Sequence, residues 1–321
     1  SSHSLAQKRL GPIQLEAACL TNLGRDHLDY HMSLDEYWQT KLSIFAQHLP
    51  CGAPAIVHHD LANIYKEKNL SSHKITSYKA ENKEKLLAKA IDTSIDMLAW
   101  VEKAKLASNI FIHKDCGIQM GQVPYIGKFN IDNFLAACLL SKVITKKVFP
   151  TQAWKNLIPP PGRMQQVLLS DKTKPTPKVI IDYAHTPCAM ENILCEIKSQ
   201  LSPDNKIKVI FGAGGQRDRG KRPLMFKTAQ KYAHTTIITS DNPRQEAQEQ
   251  ITTDILNGYD GNSSYELIVD RKQAILTTIK NSSPKEWILI LGKGHENYQI
   301  IGTQKLDFCD YNIAKQALCL Y

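Results

Sequence analysis

Short apolar runs alternate with amphipathic stretches through the second half of the chain. The apolar runs have the length of buried strands, and the stretches between them repeat apolar residues at helical spacing. The predicted strands are Val179–Tyr183, Lys206–Phe211, Thr235–Thr239, Tyr265–Val269 and Trp287–Leu291. The predicted helices are Pro187–Gln200, Pro223–Tyr232, Glu246–Asn257, Arg271–Lys280 and Tyr311–Leu320. Alternation at these lengths predicts an α/β domain with a mainly parallel sheet.

The first half has a less regular pattern of apolar and polar positions. A capping box formed by Ser33 and Glu36 predicts the start of a helix that extends to about His48. The other predicted elements are strands at Ala17–Leu23 and Ala53–His58 and a helix at Gly127–Lys146. The segment between residues 63 and 109 mixes helical and extended patterns and suggests no site.

A run of three prolines and a glycine, Pro159–Gly162, separates the two halves. Because proline cannot continue a helix, we place a domain boundary there, with one domain over residues 1–160 and the other over 161–321. Arg163 follows the run immediately, so we expect it in the cleft between the domains, where ligand sites are common.

The composition is that of an ordinary globular protein, and a length of 321 residues fits about two domains. A net charge of +9 favours anionic ligands, but the basic residues are dispersed, so we expect no nucleic-acid partner. Transmembrane and signal-peptide patterns are missing, so we expect no membrane partner. The eight cysteines form no CxxC pair and predict reduced thiols in a cytoplasmic protein.

Polar motifs directly follow four of the predicted strands of the second half. These motifs are Asp182–Pro187, Gly212–Arg222, Ser240–Arg244 and Gly292–Glu296. In an open parallel sheet they lie along the carboxyl edge, where ligands bind. Glu296 and Asp241 suit an ammonium group, whereas Arg217 and Arg244 suit carboxylates. The edge is therefore expected to bind an amino acid that has an additional carboxylate.

The loop after the predicted strand Lys206–Phe211 is similar to two nucleotide-binding motifs and completes neither. Its first glycines lack the third glycine of the dinucleotide fingerprint, because Arg217 stands at that position. The run Gly215–Arg222 has Walker A spacing, but Arg222 replaces the Ser or Thr that would hold Mg²⁺. We expect an anionic ligand other than a nucleoside triphosphate; the alternative is a turn with a basic, solvated rim.

Three further features of the first half have a functional and a structural interpretation. Ionisable residues are dense from Arg25 to His31, which indicates either a site or a polar loop. Lys41 lies on the apolar stripe of its helix, where its side chain either extends to water or is buried with a lowered amine pKa. A neutral amine can capture CO₂ as a carbamate, a ligand suited to Mg²⁺. Asn130 and Asn133 either meet a ligand or cap their helix.

Taken in order, these motifs resemble the Mur ligases, the ATP-dependent peptide synthetases of bacterial cell-wall assembly. The resemblance extends from Ser1-Ser2-His3 to Gly292–Gln299. It implies part of a central ATPase domain over residues 1–160, followed by a Rossmann-like, acceptor-binding domain over 161–321. It also implies that the chain begins midway through the central domain, because the family's UDP-binding domain and Gly-Thr-Asn-Gly-Lys-Thr loop have no counterpart here.

The resemblance assigns roles to residues whose positions match the family motifs. His27 and a carbamylated Lys41 are implied as Mg²⁺ ligands, and together with Arg163 they are implied as catalytic residues. The implied nucleotide-binding residues are Asn133, Arg163, Asp182 and His185. The implied UDP-muramoyl-dipeptide contacts are Ser1, Gln7 and Arg9. The implied diaminopimelate contacts are Arg217, Asp241, Asn242, Pro243, Arg244, Gly292 and Glu296.

The implied reaction adds meso-2,6-diaminopimelate to UDP-N-acetylmuramoyl-L-Ala-D-Glu through an acyl phosphate, with ATP and Mg²⁺, in a monomer. Arg244 favours an acceptor with a second carboxylate, because this position differs in lysine-adding relatives. The alternatives are a lysine-adding or folylpolyglutamate-type ligase, or a non-catalytic fragment that only binds the acceptor. The chain departs from the family pattern at Met32, Cys188 and Gln216, which leaves the implied chemical groups in place.

Overall fold

The computed structural model describes residues 1–24, 30–67, 72–82, 97–104, 107–114, 117–169 and 175–321. The chain divides into two compact units, Ser1–Ile158 and Pro159–Tyr321. Within the described residues, no helix is both long and apolar enough to cross a membrane.

The Ser1–Ile158 unit contains one six-stranded sheet with helices against it. Its described helices are Ser2–Ala6 (α1), Leu34–His48 (α2), Ala62–Glu67 (α3) and Lys128–Thr145 (α4). Its strands are Ala18–Leu20 (β1), Pro54–His58 (β2), Lys74–Asn82 (β3), Met97–Ala104 (β4), Ala107–Lys114 (β5) and Gly117–Val123 (β6). The strands lie in chain order across the sheet. β1 to β4 are parallel neighbours, whereas β5 pairs antiparallel with both β4 and β6.

Helix α2 begins as the capping box predicts. Ser33 Oγ accepts a hydrogen bond from the Glu36 N–H at 3.1 Å, and the Glu36 carboxylate accepts one from the Met32 N–H at 2.8 Å. One of the donors that a helix start leaves unsatisfied is thereby paired, and the Glu36 side chain returns to the residue before the N-cap and not to the N-cap itself. The predicted helix ending at about His48 is confirmed.

Strand β2 is buried on both faces of its sheet. Ala55 and Val57 belong to the apolar cluster that includes Phe45 of α2, whereas Ile56 belongs to the cluster that includes Leu135 of α4. Successive side chains of a strand point to opposite faces, so α2 and α4 cover the two sides. Strand β1 is shorter than predicted, because the exposed polar residues Thr21 and Asn22 lie beyond its end at Leu20.

The Pro159–Tyr321 unit is the predicted α/β domain. Its strands are Gln165–Gln166 (β7), Lys178–Asp182 (β8), Lys206–Phe211 (β9), Thr235–Ile238 (β10), Ser264–Leu267 (β11), Glu286–Leu291 (β12), Tyr298–Ile301 (β13) and Gln304–Asp307 (β14). Its described helices are Pro187–Gln200 (α5), Lys221–Tyr232 (α6), Gln248–Leu256 (α7), Arg271–Lys280 (α8) and Asp310–Cys319 (α9).

The main sheet of this unit has the strand order β11–β10–β9–β12–β8–β7. Its strands are parallel except β7, which runs antiparallel to β8, and β13 and β14 form a separate hairpin. The central strand β12 is buried throughout, which fits a sheet covered on both faces. Helix α6 begins two residues before the predicted Pro223, because proline is tolerated in the first helical turn.

A buried ion pair supports two of the strand ends that form the carboxyl edge. The Arg271 guanidinium donates to both carboxylate oxygens of Asp310 at 2.8 Å, and both side chains are fully buried. Arg271 also donates to the carbonyls of Ser240 and Leu291, at the ends of β10 and β12. The pair therefore fixes the point from which two of the predicted ligand loops leave the sheet.

Candidate functional site

Hydrogen bonds join the four loops at the carboxyl edge of the second unit. The Gly292 N–H donates to the Asp182 carbonyl at 3.1 Å, linking the loops after β12 and β8. The Gly215 N–H donates to the Asn242 carbonyl at 2.9 Å, linking the loops after β9 and β10. Asn242 Nδ2 donates to Glu296 Oε2 at 2.9 Å, which connects the two pairs. The predicted clustering of these loops is therefore confirmed.

The Asp182 carboxylate is buried and accepts hydrogen bonds from the main chain. Its two oxygens accept from the N–H groups of Met164 at 2.7 Å and Ala184 at 2.8 Å. Burial raises the pKa of Asp182, although these bonds favour the ionised form. Asp182, a predicted nucleotide-side residue, therefore joins the main chain at Met164 to the main chain at Ala184.

Two predicted nucleotide-side residues, Arg163 and His185, meet at the ring of Tyr183. The exposed Arg163 guanidinium lies 5.0 Å from the centre of that ring, within the range of a cation–π contact. The His185 ring lies edge-on to Tyr183 at 4.7 Å, and its Nδ1 is 2.8 Å from the Tyr183 carbonyl. Nδ1 is therefore assigned as the protonated ring nitrogen.

The glycines after β9 allow the loops to approach each other closely. A Cβ atom at Gly215 would lie 1.9 Å from the Pro243 carbonyl oxygen, and one at Gly212 would lie 2.4 Å from the Thr239 oxygen. The Gly215 N–H already donates to a neighbouring loop. Gly215 therefore serves the close packing of the two loops.

Two of the three arginines in this loop are paired with carboxylates. Arg222 is fully buried and donates to Glu246 at 2.6 and 2.8 Å and to Asp254 at 2.8 Å. Arg219 donates twice to Asp254, at 2.8 and 2.9 Å. Hydrogen bonds from Arg222 lower the pKa of Glu246 to about 2, and those from Arg219 lower that of Asp254 to about 2. Arg217 lies in the same loop and is exposed.

The loop after β10 places Arg244 beside the glycine loop. Asp241, Asn242 and Pro243 are buried, whereas Arg244 is half-buried. Arg244 has a φ of 53°, a conformation that is uncommon for residues other than glycine. Its Nη1 donates to the Gly215 carbonyl at 2.9 Å. The guanidinium is thereby fixed on the same side of the sheet edge as the loop that contains Arg217.

The motif after β12 contains a buried lysine that the sequence interpretation did not single out. Lys293 Nζ donates to Glu296 Oε2 at 3.0 Å and to Asn242 Oδ1 at 3.2 Å. Burial of Glu296 favours its neutral form, but the bonds from Lys293 and Asn242 outweigh it and lower the Glu296 pKa. Glu296 is therefore an ionised carboxylate suited to holding a cation. A lysine between two glycines at the end of a buried strand was the available sequence signal.

Gly292 is required at the start of this motif for two reasons. Its φ is 110°, and a Cβ atom there would lie 2.7 Å from Asp241 Oδ2. Any other residue would displace the Asp241 carboxylate or strain the backbone. The contact brings together two of the predicted acceptor residues, Asp241 and Gly292.

In the first unit, Lys41 lies beside oxygen atoms at the end of β1. Its Nζ donates to the Asn22 carbonyl at 3.0 Å and to the Tyr37 hydroxyl at 3.3 Å, and the side chain is half-buried. The Lys41 amine therefore lies among oxygen atoms. His27 lies outside the described residues. In the described part of the chain, no three His, Cys, Asp or Glu side chains cluster in a way that could hold a metal ion.

The remaining predicted residues of the first unit are on exposed surfaces. Ser1 caps α1, where its Oγ accepts from the Ser4 N–H at 3.2 Å, and both Gln7 and Arg9 are exposed beyond that helix. Asn133 is exposed on the first part of α4, whereas Asn130 Nδ2 donates to the Ile126 carbonyl at 2.7 Å. The N-cap of α4 is Gly127, and it has no side-chain capping hydrogen bond, so the capping alternative is wrong; Asn130 instead joins the first turn of α4 to the segment before it.

Two family models match the chain. The Mur ligase middle domain matches residues 1–141, and the Mur ligase glutamate ligase domain matches residues 162–294. The chain belongs to the Mur ligase family.

Curated relatives named UDP-N-acetylmuramoyl-L-alanyl-D-glutamate–2,6-diaminopimelate ligase are similar to almost the whole of this Mur ligase chain. The protein from Thermosynechococcus vestitus is 35% identical over 322 residues, which covers 99% of this chain and 61% of the relative. The protein from Rickettsia montanensis is 36% identical over 321 residues, which covers 99% of this chain and 63% of the relative. The Mur ligase chain thus spans less than two thirds of the length of these relatives.

Solved structures agree with this family membership. A UDP-N-acetylmuramoyl-L-alanyl-D-glutamate–2,6-diaminopimelate ligase is similar with a TM-score of 0.57 and 31% identity, covering 100% of this chain and 63% of that chain. A folylpolyglutamate synthase from Mycobacterium tuberculosis has a TM-score of 0.66 at 14% identity, covering 87% of this chain and 61% of that chain. The second likeness concerns the fold alone. The predicted Mur ligase resemblance and α/β fold class are confirmed.

Proposed function

We propose that the full-length protein containing this chain adds meso-2,6-diaminopimelate to UDP-N-acetylmuramoyl-L-Ala-D-Glu in peptidoglycan precursor synthesis, using ATP. One observation supports the acceptor most directly. Two arginines, Arg217 and Arg244, lie on loops that are hydrogen-bonded to each other, and the ionised Glu296 lies on a third linked loop. Arginine binds carboxylates bidentately, and a carboxylate holds an ammonium group. An amino acid with a second carboxylate fits this arrangement of charges.

In the proposed reaction, ATP phosphorylates the free side-chain carboxylate of the D-glutamyl residue. The acceptor amine attacks the resulting acyl phosphate, phosphate leaves, and an amide remains. The C-terminal unit contributes mainly proximity and orientation, because its residues hold the acceptor and are not consumed. Glu296, with a lowered pKa, is a weak base, so we assign it to holding the acceptor ammonium and not to removing its proton.

The N-terminal unit is proposed to be part of the ATP-binding domain. There, carbamylated Lys41 and His27 would hold Mg²⁺, which neutralises charge on a transferring phosphoryl group. The oxygen environment of the Lys41 amine supports this assignment. Asn133, Arg163, Asp182 and His185 are proposed on the nucleotide side. Ser1, Gln7 and Arg9 are proposed to contact the UDP-muramoyl dipeptide.

The test is amino-acid-dependent phosphate release by the full-length protein, supplied with ATP and UDP-N-acetylmuramoyl-L-Ala-D-Glu. The acceptor panel contains meso-diaminopimelate, L-lysine and L-glutamate, with a reaction lacking acceptor as the blank. We expect release and a new amide with diaminopimelate, and blank-level release with lysine. Equal turnover with lysine would indicate a lysine-adding ligase. Glutamate addition to a folate would indicate a folylpolyglutamate-type ligase, and binding of diaminopimelate without turnover would indicate a non-catalytic protein.

A further inference from the structure

Glu246 joins the two loops that contain the proposed acceptor arginines. It lies two residues beyond Arg244, outside the residues assigned to the acceptor. Its carboxylate accepts from the buried Arg222 at 2.6 and 2.8 Å. Its Oε2 also accepts from the Gln216 N–H at 2.8 Å. One carboxylate therefore connects the loop after β10 with the main chain next to Arg217.

The bond from the Gln216 N–H to Glu246 is formed at a residue with an unfavourable backbone conformation. Gln216 has a φ of 54°, in the left-handed region that is unfavourable for a residue with a Cβ atom. The Gln216 side chain is exposed. The hydrogen bond from its N–H to Glu246 is thus a contact that holds this conformation. The direction in which the next side chain, Arg217, leaves the backbone depends on that conformation.

The carboxylate is well placed to remain fixed and ionised. Arg222 is fully buried, and besides Glu246 it donates to the Gly214 carbonyl at 3.1 Å. Arg222 therefore also fixes the main chain at Gly214, two residues before Gln216. Arg244 Nη1 donates to the Gly215 carbonyl. The main chain at residues 214, 215 and 216 is therefore hydrogen-bonded to the side chains of Arg222, Arg244 and Glu246, respectively.

We propose that Glu246 is a positioning residue for the acceptor site, which directs Arg217 towards a carboxylate of the incoming amino acid by fixing the main chain at Gln216. This inference rests on the proposed function. It assigns a role in acceptor binding to a residue that does not itself contact the acceptor. Misplacing a binding group by about 1 Å can lower a rate by about 100-fold, so the role is measurable.

Asp254 offers a matched control within the same cluster. It also pairs with Arg222, at 2.8 Å, and it shares the lowered pKa of about 2. Its hydrogen bonds extend to the side chains of Arg219, Arg222 and Gln250. A role limited to stabilising Arg222 predicts similar effects for Glu246 and Asp254. A role in positioning Arg217 predicts an acceptor effect for Glu246 alone.

The experiment compares Glu246→Ala, Glu246→Gln and Asp254→Asn in the full-length protein. We expect Glu246→Ala to raise the KM for diaminopimelate by at least about 10-fold, equivalent to ~1.4 kcal/mol, with kcat within about 3-fold of wild type. The KM for ATP should not change. Glu246→Gln should restore part of the acceptor affinity, because its amide oxygen can still accept from the Gln216 N–H. Asp254→Asn should change the acceptor KM by less than about 2-fold.

Equal changes in the acceptor KM for the Glu246 and Asp254 variants would overturn the positioning role, as would a parallel change in the KM for ATP. If Glu246→Ala does not fold, as judged by thermal denaturation, the positioning role is tested by comparing the acceptor KM of Glu246→Gln with that of Asp254→Asn. The wild-type protein separates the two levels of the proposal. A wild type that forms no amide with diaminopimelate refutes the proposed function, whereas an active wild type with equal variants refutes the positioning role alone.

Discussion

Arg217, Arg219 and Arg222 are close in sequence but have different environments. Arg222 is buried between two carboxylates, Arg219 forms a two-point pair with Asp254, and Arg217 is exposed. The sequence predicted a basic loop but could not separate these roles, because Glu246 and Asp254 lie more than twenty residues further along the chain. Burial and partner distance decide which arginine stabilises the fold and which one suits a ligand.

Two arginine substitutions in this loop should differ strongly in their effect on the stability of the protein. Arg222→Ala leaves the partly buried carboxylates of Glu246 and Asp254 with fewer partners and should lower the free energy of unfolding by about 3–5 kcal/mol. Arg217→Ala removes an exposed side chain and should change it by less than about 0.5 kcal/mol, while raising the acceptor KM. Urea denaturation measures the first quantity, and phosphate release measures the second. A large loss of stability in Arg217→Ala would contradict this division of roles.

The proposed role of Lys41 requires its amine. Lys41→Ala in the full-length protein should lower turnover by at least about 100-fold, because the proposed Mg²⁺ ligand is lost. Added bicarbonate should not restore activity, since alanine cannot form a carbamate. Lys142→Ala, which changes an exposed lysine of α4, is the control and should retain activity. Normal turnover by Lys41→Ala would refute the carbamate assignment.

Acid should destabilise the second unit through Glu246 and Asp254. Their folded-state pKa values of about 2 lie below their ordinary values of 4.5 and 3.8. Each carboxylate therefore adds stability that is complete above about pH 5 and is lost as the pH falls towards 2. We expect the free energy of unfolding to fall by about 2–4 kcal/mol over this range. In the double variant Glu246→Gln with Asp254→Asn, a pH dependence as steep as in wild type would contradict this expectation.

At the scale of elements, the site depends on how closely neighbouring loops approach. The hairpin of β13 and β14 contributes to this packing, because the Arg244 N–H donates to the Ile300 carbonyl at 3.0 Å. Asn242 Oδ1 accepts from the Ile300 N–H at 2.9 Å. Periodicity does not predict this hairpin, because each of its strands has only four residues.

Two glycines of the same loop should differ in their tolerance of a methyl group. Gly215→Ala should lower stability by about 2–3 kcal/mol and weaken acceptor binding, because its Cβ atom would overlap the Pro243 carbonyl. Gly220→Ala should cost at most about 1 kcal/mol, because Gly220 has a φ of −64° and its Cβ would meet only the Asp218 side chain at 3.2 Å. Thermal denaturation of both variants provides the comparison. Equal stabilities would show that the loops can separate without cost.

At the scale of the whole molecule, the second unit was more predictable than the first. Its strands and helices alternate, so periodicity and the carboxyl-edge rule together predicted the parallel sheet and the positions of its ligand loops. In the first unit, β4, β5 and β6 include antiparallel pairs within a mixed pattern, and periodicity did not define them. The bonds of Arg222 to Glu246 and of Lys293 to Asn242 join distant segments of the chain, which a single sequence does not reveal.

The second unit should fold by itself. It has its own core, in which Ile181 and Ile290 of the sheet pack with Ile275 of α8 and Leu318 of α9. Residues 159–321, produced separately, should unfold in one cooperative transition and bind diaminopimelate without ATP. Calorimetry measures both properties, with Arg217→Ala in the same fragment as the binding control. A broad, non-cooperative transition would show that the unit depends on the rest of the chain.

The main chain at Arg244 is held from outside its own loop. Its N–H donates to the Ile300 carbonyl, and its carbonyl accepts from the Gly302 N–H at 2.7 Å. Neither bond involves the arginine side chain, so a residue other than proline at position 244 can still form both. Such a replacement loses the bond from Arg244 Nη1 to the Gly215 carbonyl. Under the proposed function, a substitution at position 244 exchanges the group that meets the acceptor and leaves the main-chain support from the β13–β14 hairpin in place.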